Sequence, residues 1–317
     1  MRRTTPVLLL LCAAAALQAA PDALLFVRDG HIWHLPKDSD EPHQAVADDP
    51  GWTYTQPTWL DHEVYLVMRL KGGELGRSHV GLAGIVPDGE YPAAEVQWLQ
   101  PAGGAYVIGA SPANKALGLI KLGEKTDGVS KAFLTVAPLE GDWPKSRPYL
   151  TFAEDQESLP ARIHFSPDGK QAVVSTFTDV FGVPMSLVDV AKAELLEPKW
   201  LKHEWLVEHI ESPRVSCAAW LADGRVVLGT IGRGLYLYDP KTDKITTLDN
   251  PDDGTGTVTD LSIGADGKRV YFGVSIEGEG VKTHSEIRLW DGTGPAEVIL
   301  DNADWPDAAP APAADGK

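Results

Sequence analysis

A chain of 317 residues with a hydrophobic fraction of 43% is long enough to bury a sizeable core, which excludes intrinsic disorder and a fibre. Its formal net charge of −17 argues against nucleic acid or anionic lipid as partner, since those surfaces reward clusters of Lys and Arg. The 31 glycines, 24 prolines and 10 tryptophans, with little helical spacing of apolar residues, point to an all-β architecture of short strands and turns.

In chain order, residues 1–20 come first, with basic Arg2 and Arg3, an apolar run from Val7 to Leu17 and small Ala19 and Ala20. That pattern predicts a secretory signal peptide, too short to span a bilayer, and hence a periplasmic or secreted protein. Cys12 leaves with the signal, so Cys217 is the single cysteine of the mature chain and no intramolecular disulfide forms. Cys217 lies in the apolar run 216–220 and reads as a buried thiol rather than a nucleophile.

After the signal, Ala23 to Arg28, the turn Asp29-Gly30, His31 to Pro36 and His43 to Ala47 read as strands B, C and D of a blade whose strand A is missing. The segment Asp48 to Gln56 follows, and its Trp52 and Tyr54 are the candidate partner-binding residues, because aromatics anchored on a rigid scaffold are common interface hot spots. Three sharp copies of one motif come later: Phe165 to Lys170, Trp220 to Arg225 and Ile263 to Lys268, each carrying Asp-Gly between strand-like residues. Asp-Gly supplies the positive φ of a tight hairpin, so each copy joins two antiparallel strands. Weaker copies at Trp59, Ala110 and Trp305 bring the series to six, at intervals of 42 to 55 residues.

In the clearest blade, Ser216 to Leu221, Arg225 to Thr230, Leu235 to Asp239 and Lys244 to Leu248 are strands A to D. The expectation is therefore a six-bladed β-propeller of four-stranded antiparallel blades over residues 21–307, with a disordered tail over 308–317. Residues near Ala303 to Pro306 supply the missing strand A, pair with Ala23 to Arg28 and close the ring, which removes exposed sheet edges.

Ser166-Pro167-Asp168-Gly169-Lys170, followed by Gln171 to Thr176, resembles the WD40-like repeat of the TolB-like β-propeller family, and Leu24 to Leu35 looks like the opening of many of its members. The resemblance covers roughly residues 22 to 307 and implies the fold. It does not choose a function, because the group includes envelope-complex subunits, gating domains of prolyl peptidases and sugar lyases. In such propellers strand A lines the central channel, and the D-to-A and B-to-C loops gather at one face, the expected binding face.

No Gly-x-Ser-x-Gly elbow, Gly-x-Gly-x-x-Gly loop or Walker A loop occurs, so no hydrolase nucleophile and no nucleotide cofactor is indicated. His31 and His34 point to opposite faces of one strand, and His203 with His209 lacks the His-Glu-x-x-His spacing, so no metal is expected there. His164 sits on an expected inner strand, but the matching positions Thr58, Gly109, Ala219 and Ser262 hold no second histidine. Asp252-Asp253-Gly254 and Glu277 to Gly280 lack the ligand register of a calcium loop. The leading expectation is an exported, non-catalytic module that presents its loop-rich face to a protein or peptide partner in the cell envelope, with no cofactor. The alternatives are a propeller lyase or lactonase with a channel metal and a structural subunit of an envelope assembly.

Overall fold

The computed structural model describes residues 22–72, 74–85, 96–98, 105–111, 116–122, 132–138, 150–151, 159–177, 185–192, 194–210, 214–232, 234–250, 256–276 and 284–310. The expected signal over 1–20, both acidic clusters and most of the tail lie outside them. Among the described residues no helix is long and apolar enough to cross a membrane.

The protein is an all-β propeller of four-stranded antiparallel sheets. The first sheet contains Leu24–Arg28 (β1), His31–Leu35 (β2) and His43–Gln44 (β3). Trp52–Trp59 (β4), Val64–Lys71 (β5), Glu74–Gly84 (β6) and Gln97–Trp98 (β7) form the second. The third holds Ala105–Ser111 (β8), Ala116–Leu122 (β9), Ala132–Pro138 (β10) and Leu150–Thr151 (β11). Leu159–Phe165 (β12), Gln171–Phe177 (β13), Met185–Asp189 (β14) and Glu194–Leu196 (β15) follow. Next come Val215–Trp220 (β16), Val226–Thr230 (β17), Leu235–Asp239 (β18) and Lys244–Asp249 (β19). Thr257–Ile263 (β20), Val270–Ile276 (β21), His284–Trp290 (β22) and Glu297–Asp301 (β23) make the last consecutive sheet. Asp304–Ala308 (β24) is the fourth strand of the first sheet, antiparallel to β1 with Leu24 opposite Ala308.

The Asp-Gly turns explain why the strands reverse where they do. Gly169, Gly224 and Gly267 hold φ of +67°, +87° and +68°, a region open to glycine without steric cost. Each preceding aspartate accepts a backbone N–H two residues on, from Lys170 at 3.0 Å, Arg225 at 3.1 Å and Lys268 at 2.9 Å. A second set of aspartates turns strand C into strand D: Asp189, Asp239 and Asp291 accept from Lys192, Lys241 and Thr293.

Apolar residues of neighbouring sheets interdigitate to make the core. One cluster joins Val173 and Leu187 to Leu228 and Tyr236, and another joins Leu24 and Phe26 to Tyr271 and Ile287. Between β15 and β16 the chain turns through Lys199–Leu201 into a helix, His203–His209 (α1). Trp200, Leu206 and Ile210 plug the space beside β16 to β18, so burial holds a segment too short to be stable alone. The sequence showed no helical stretch because this one is two turns long.

The inner strands pack side by side, β4 on β8, β8 on β12, β12 on β16, β16 on β20, β20 on β24 and β24 on β4. Their approach is close: a Cβ on Gly109 would stand 2.5 Å from the Ile163 carbonyl oxygen. Strand β24 runs through Ala308, two residues past the expected strand near Ala303 to Pro306 and one residue into the stretch read from sequence as tail. Hydrogen bonds that Asp307 accepts from Trp59 and Ser262 fix that register.

Candidate functional site

Each inner strand carries a β-bulge against its neighbour, between Thr55 and Thr58, Ala105 and Val107, Pro160 and Arg162, Val215 and Cys217, and Val258 and Asp260. The irregularity of β24 lies opposite the step from Leu25 to Val27. Bulges bend a strand and re-aim its side chains. On β4 and β24 two residues bulge, and one of each pair, Gln56 and Trp305, adopts positive φ of 48° and 55°. Beyond the bulges the next-to-last residues of the inner strands are Thr58, Ala110, His164, Ala219, Ser262 and Asp307. The position on β8 is therefore Ala110, one residue beyond the Gly109 matched from sequence, because the hairpin begins after Ser111.

All of these residues except Ser262 line a cavity of about 210 Å³, whose walls include Trp59, Phe165, Trp220 and Ile263 and whose polar lining is Thr58, Arg162, His164 and Asp307. Apart from Pro310, which follows β24, the lining comes from the last four positions of the inner strands, the end that leads into the Asp-Gly turns. Arg162, with 3% of its side chain exposed, reaches past β16 to Asp260 of β20, Nη2 to Oδ2 at 2.9 Å. It can do so because β16 presents small Cys217 and Ala219 at these levels. His164 Nε2 stands 3.3 Å from the other Asp260 oxygen. Arg162 also lies over the Trp305 ring, 5.4 Å from its centroid. Its Nη1 is buried with no hydrogen-bond partner among the described residues.

Asp307 ties three inner strands together. Its Oδ2 accepts the Trp59 backbone N–H at 2.7 Å and its Oδ1 the Ser262 hydroxyl at 3.0 Å. The Trp59 indole N–H donates to the Asp307 carbonyl at 2.9 Å, and the Ser262 oxygen accepts the Ala308 N–H at 2.9 Å. Burial pushes the Asp307 carboxyl up to about 6, although Arg162 and the two donors pull the other way. Cys217 is fully buried, and loss of solvation drives its thiol well above the ordinary range, with Asp260 adding to the effect. Such a thiol is an inert packing group, as the sequence indicated.

Trp52 and Tyr54 lie toward the opposite end of β4, about 20 Å and about 13 Å from Thr58 at the rise of an extended strand. Trp52 is half-buried, while Tyr54 is 2% exposed and its hydroxyl donates to the Ala47 carbonyl at 3.2 Å. Between Trp52 and Trp98 lies the Arg69 guanidinium, 4.1 and 3.5 Å from the two ring centroids. Asp49 pairs with it at 2.5 Å, and His79 packs on both tryptophans. The Tyr54 ring stands behind Trp98 at 6.4 Å.

The other histidines are dispersed. His31 pairs with Asp48 at 2.9 Å, whereas His34 faces the interior and is pulled down to about 4, first by burial and then by His43. His203 and His209 are the two ends of α1, six positions apart and so on different helix faces. One group with metal-ligand chemistry occurs among the described residues, His284, Glu286 and Asp301, which the pleat of β22 and β23 puts on one face. Arg288 already holds the Glu286 carboxylate at 2.5 Å.

Sequence reasoning named His164 but missed Arg162, Asp260 and Asp307. For the first two a signal existed, since both stand three residues before the end of a strand A, level with Cys217. Asp307 was hidden because its strand adjoins an Ala- and Pro-rich segment with no turn motif to set its register.

No family model matches the chain, and no curated protein matches it in sequence. Among solved structures it is similar to TolB from Acinetobacter baumannii, with 15% identity over 91% of this chain and 67% of that one and a TM-score of 0.57. It is also similar to a prolyl endopeptidase, with 10% identity over 90% of this chain and a TM-score of 0.52. A puromycin hydrolase mutant complexed with PGG gives 18% identity over 87% and a TM-score of 0.51. The match takes in 43% of each of those two hydrolases, less than half their length. At these identities the likeness concerns architecture, and it agrees with the sheets described above: the chain folds as a β-propeller.

Proposed function

We propose that the protein is an exported binding module, a six-bladed propeller of the TolB-like, WD40-like group, whose loop-rich face takes a protein or peptide partner in the cell envelope without catalytic turnover. The observation that carries this reading is the Trp52–Arg69–Trp98 stack at that face. Trp, Tyr and Arg are the residues most enriched at interface hot spots, and a guanidinium clamped between two rings is rigid before any partner arrives. In this reading Trp52 is the contact residue, and Tyr54 acts from behind by holding Trp98. Six blades and closure of the ring by β24 are part of the proposal, supported by the pairing of β1 with β24 and by the packing of β24 between β20 and β4. Export rests on the basic, apolar and small-residue pattern of residues 1–20.

The test is a crosslinked pull-down from a periplasmic fraction, paired with metal analysis of the purified protein. A partner captured by the wild type, lost with Trp52→Ala at unchanged melting temperature, and no stoichiometric metal is the expected result. One metal per chain with no partner would overturn the proposal in favour of a lyase or lactonase acting at the channel.

A further inference from the structure

We infer that the channel cavity takes the free amino terminus of a peptide, with its ammonium group on Asp307 and its first carbonyl oxygen on Arg162. This deepens the binding-module reading, on which it rests only in taking the ligand to be a peptide.

The buried Arg162 side chain lines the cavity, and its Nη1 has no partner among the described residues, so a ligand that reaches it must bring an acceptor oxygen. The charge of Arg162 is already matched by Asp260 at 2.9 Å, and Asp307 adds a further carboxylate. With Arg162 cationic and both aspartates ionised, the cluster carries one positive charge against two negative ones. A carboxylate ligand would answer the free donor but meet two carboxylates. A ligand with an acceptor oxygen and a cation answers both demands, and a peptide amino terminus carries the ammonium nitrogen and the carbonyl oxygen three bonds apart. Each Asp307 oxygen accepts one hydrogen bond, from Trp59 or Ser262, which leaves lone pairs for an ammonium donor.

Size and wall chemistry agree with a chain end. About 210 Å³ is below the volume of sites that enclose drug-sized ligands, and it suits one or two residues. Trp59, Phe165, Trp220 and Ile263 make the wall apolar where the first side chain would lie, so an uncharged apolar first residue is favoured. The groups that face Asp307 are Arg162 and His164 from β12, Asp260 and Ser262 from β20, and the Trp59 N–H from β4. Ammonium binding requires ionised Asp307, so affinity should fall as pH drops through 6 toward 5.

Saturation-transfer NMR on the mature chain, with a mixture of tripeptide amides varied at the first residue, tests the inference against the same mixture N-acetylated. Saturation of the free-amine peptides, none of the acetylated ones, and a roughly tenfold or greater weakening with Asp307→Asn is the expected result. Asparagine keeps the shape and the acceptor oxygen, and thermal melting checks that the variant folds. Equal binding of the acetylated mixture, undiminished binding by a folded Asp307→Asn, or no binding at all, the cavity then holding water only, would each overturn it. Because this end of the channel is far from Trp52, a negative titration beside a positive pull-down overturns the channel inference alone. Loss of the pull-down with peptides still bound would overturn the loop-face proposal alone.

Discussion

His34 and Asp307 are buried groups whose ordinary ionisation the fold opposes, and they respond to acid in opposite senses. The folded His34 takes up its proton only near 4, whereas an unfolded one does so near 6.5. Stability due to neutral His34 is therefore complete above 6.5 and is lost as pH falls toward 4. Folded Asp307 takes up its proton near 6 and unfolded aspartate near 3.8, so protonation of Asp307 restores stability over much of the same window. The two slopes partly cancel. Asp307→Asn removes only the second, and its melting temperature should drop more steeply than that of the wild type between pH 6.5 and 4. Parallel curves would mean that Asp307 does not titrate there. At this scale the sequence was informative where chemistry is local: Cys217 is inert because its own neighbours are apolar. It was uninformative about His164, whose partner Asp260 lies on a strand 96 positions away.

At the scale of the element, the hairpins were legible because Asp-Gly encodes both the positive φ and the side-chain cap in adjacent residues. Strands β16 to β19 fall within one residue of their expected bounds for that reason. The bulges were not legible, since which residue is squeezed out depends on the neighbouring strand. Close inner-strand packing gives a direct test. In Gly109→Ala the new methyl would meet the Ile163 carbonyl at 2.5 Å, and the backbone cannot rotate away. Overpacking of this kind costs about 1–3 kcal/mol, so a melting temperature lower by several degrees is expected. An unchanged melting temperature would show that β8 and β12 separate freely. α1 was invisible for a related reason: Leu206 and Ile210 make an apolar face that counts only because Trp200 and β16 to β18 complete it.

For the whole molecule, the question is how the two chain ends meet. Without β24, β1 would present an open edge, Leu24 and Phe26 would lose the cover of Ala303 and Ala308, and the Trp59 backbone N–H would lose its buried acceptor. Deleting residues 303–317 should lower the melting temperature sharply and promote aggregation. Unchanged stability would rule out ring closure by β24. The sequence by itself determined the architecture of repeated antiparallel sheets and the places where they turn, because those depend on residues next to one another. Tertiary structure alone decided that Arg162, Asp260 and Asp307 meet beside one cavity and that β24 ends at Ala308 rather than near Pro306. Contacts between three strands separated by scores of residues have no local code: they are set by bulge positions, by small side chains on β16 and by the hydrogen bonds that Asp307 makes when its strand reaches its place.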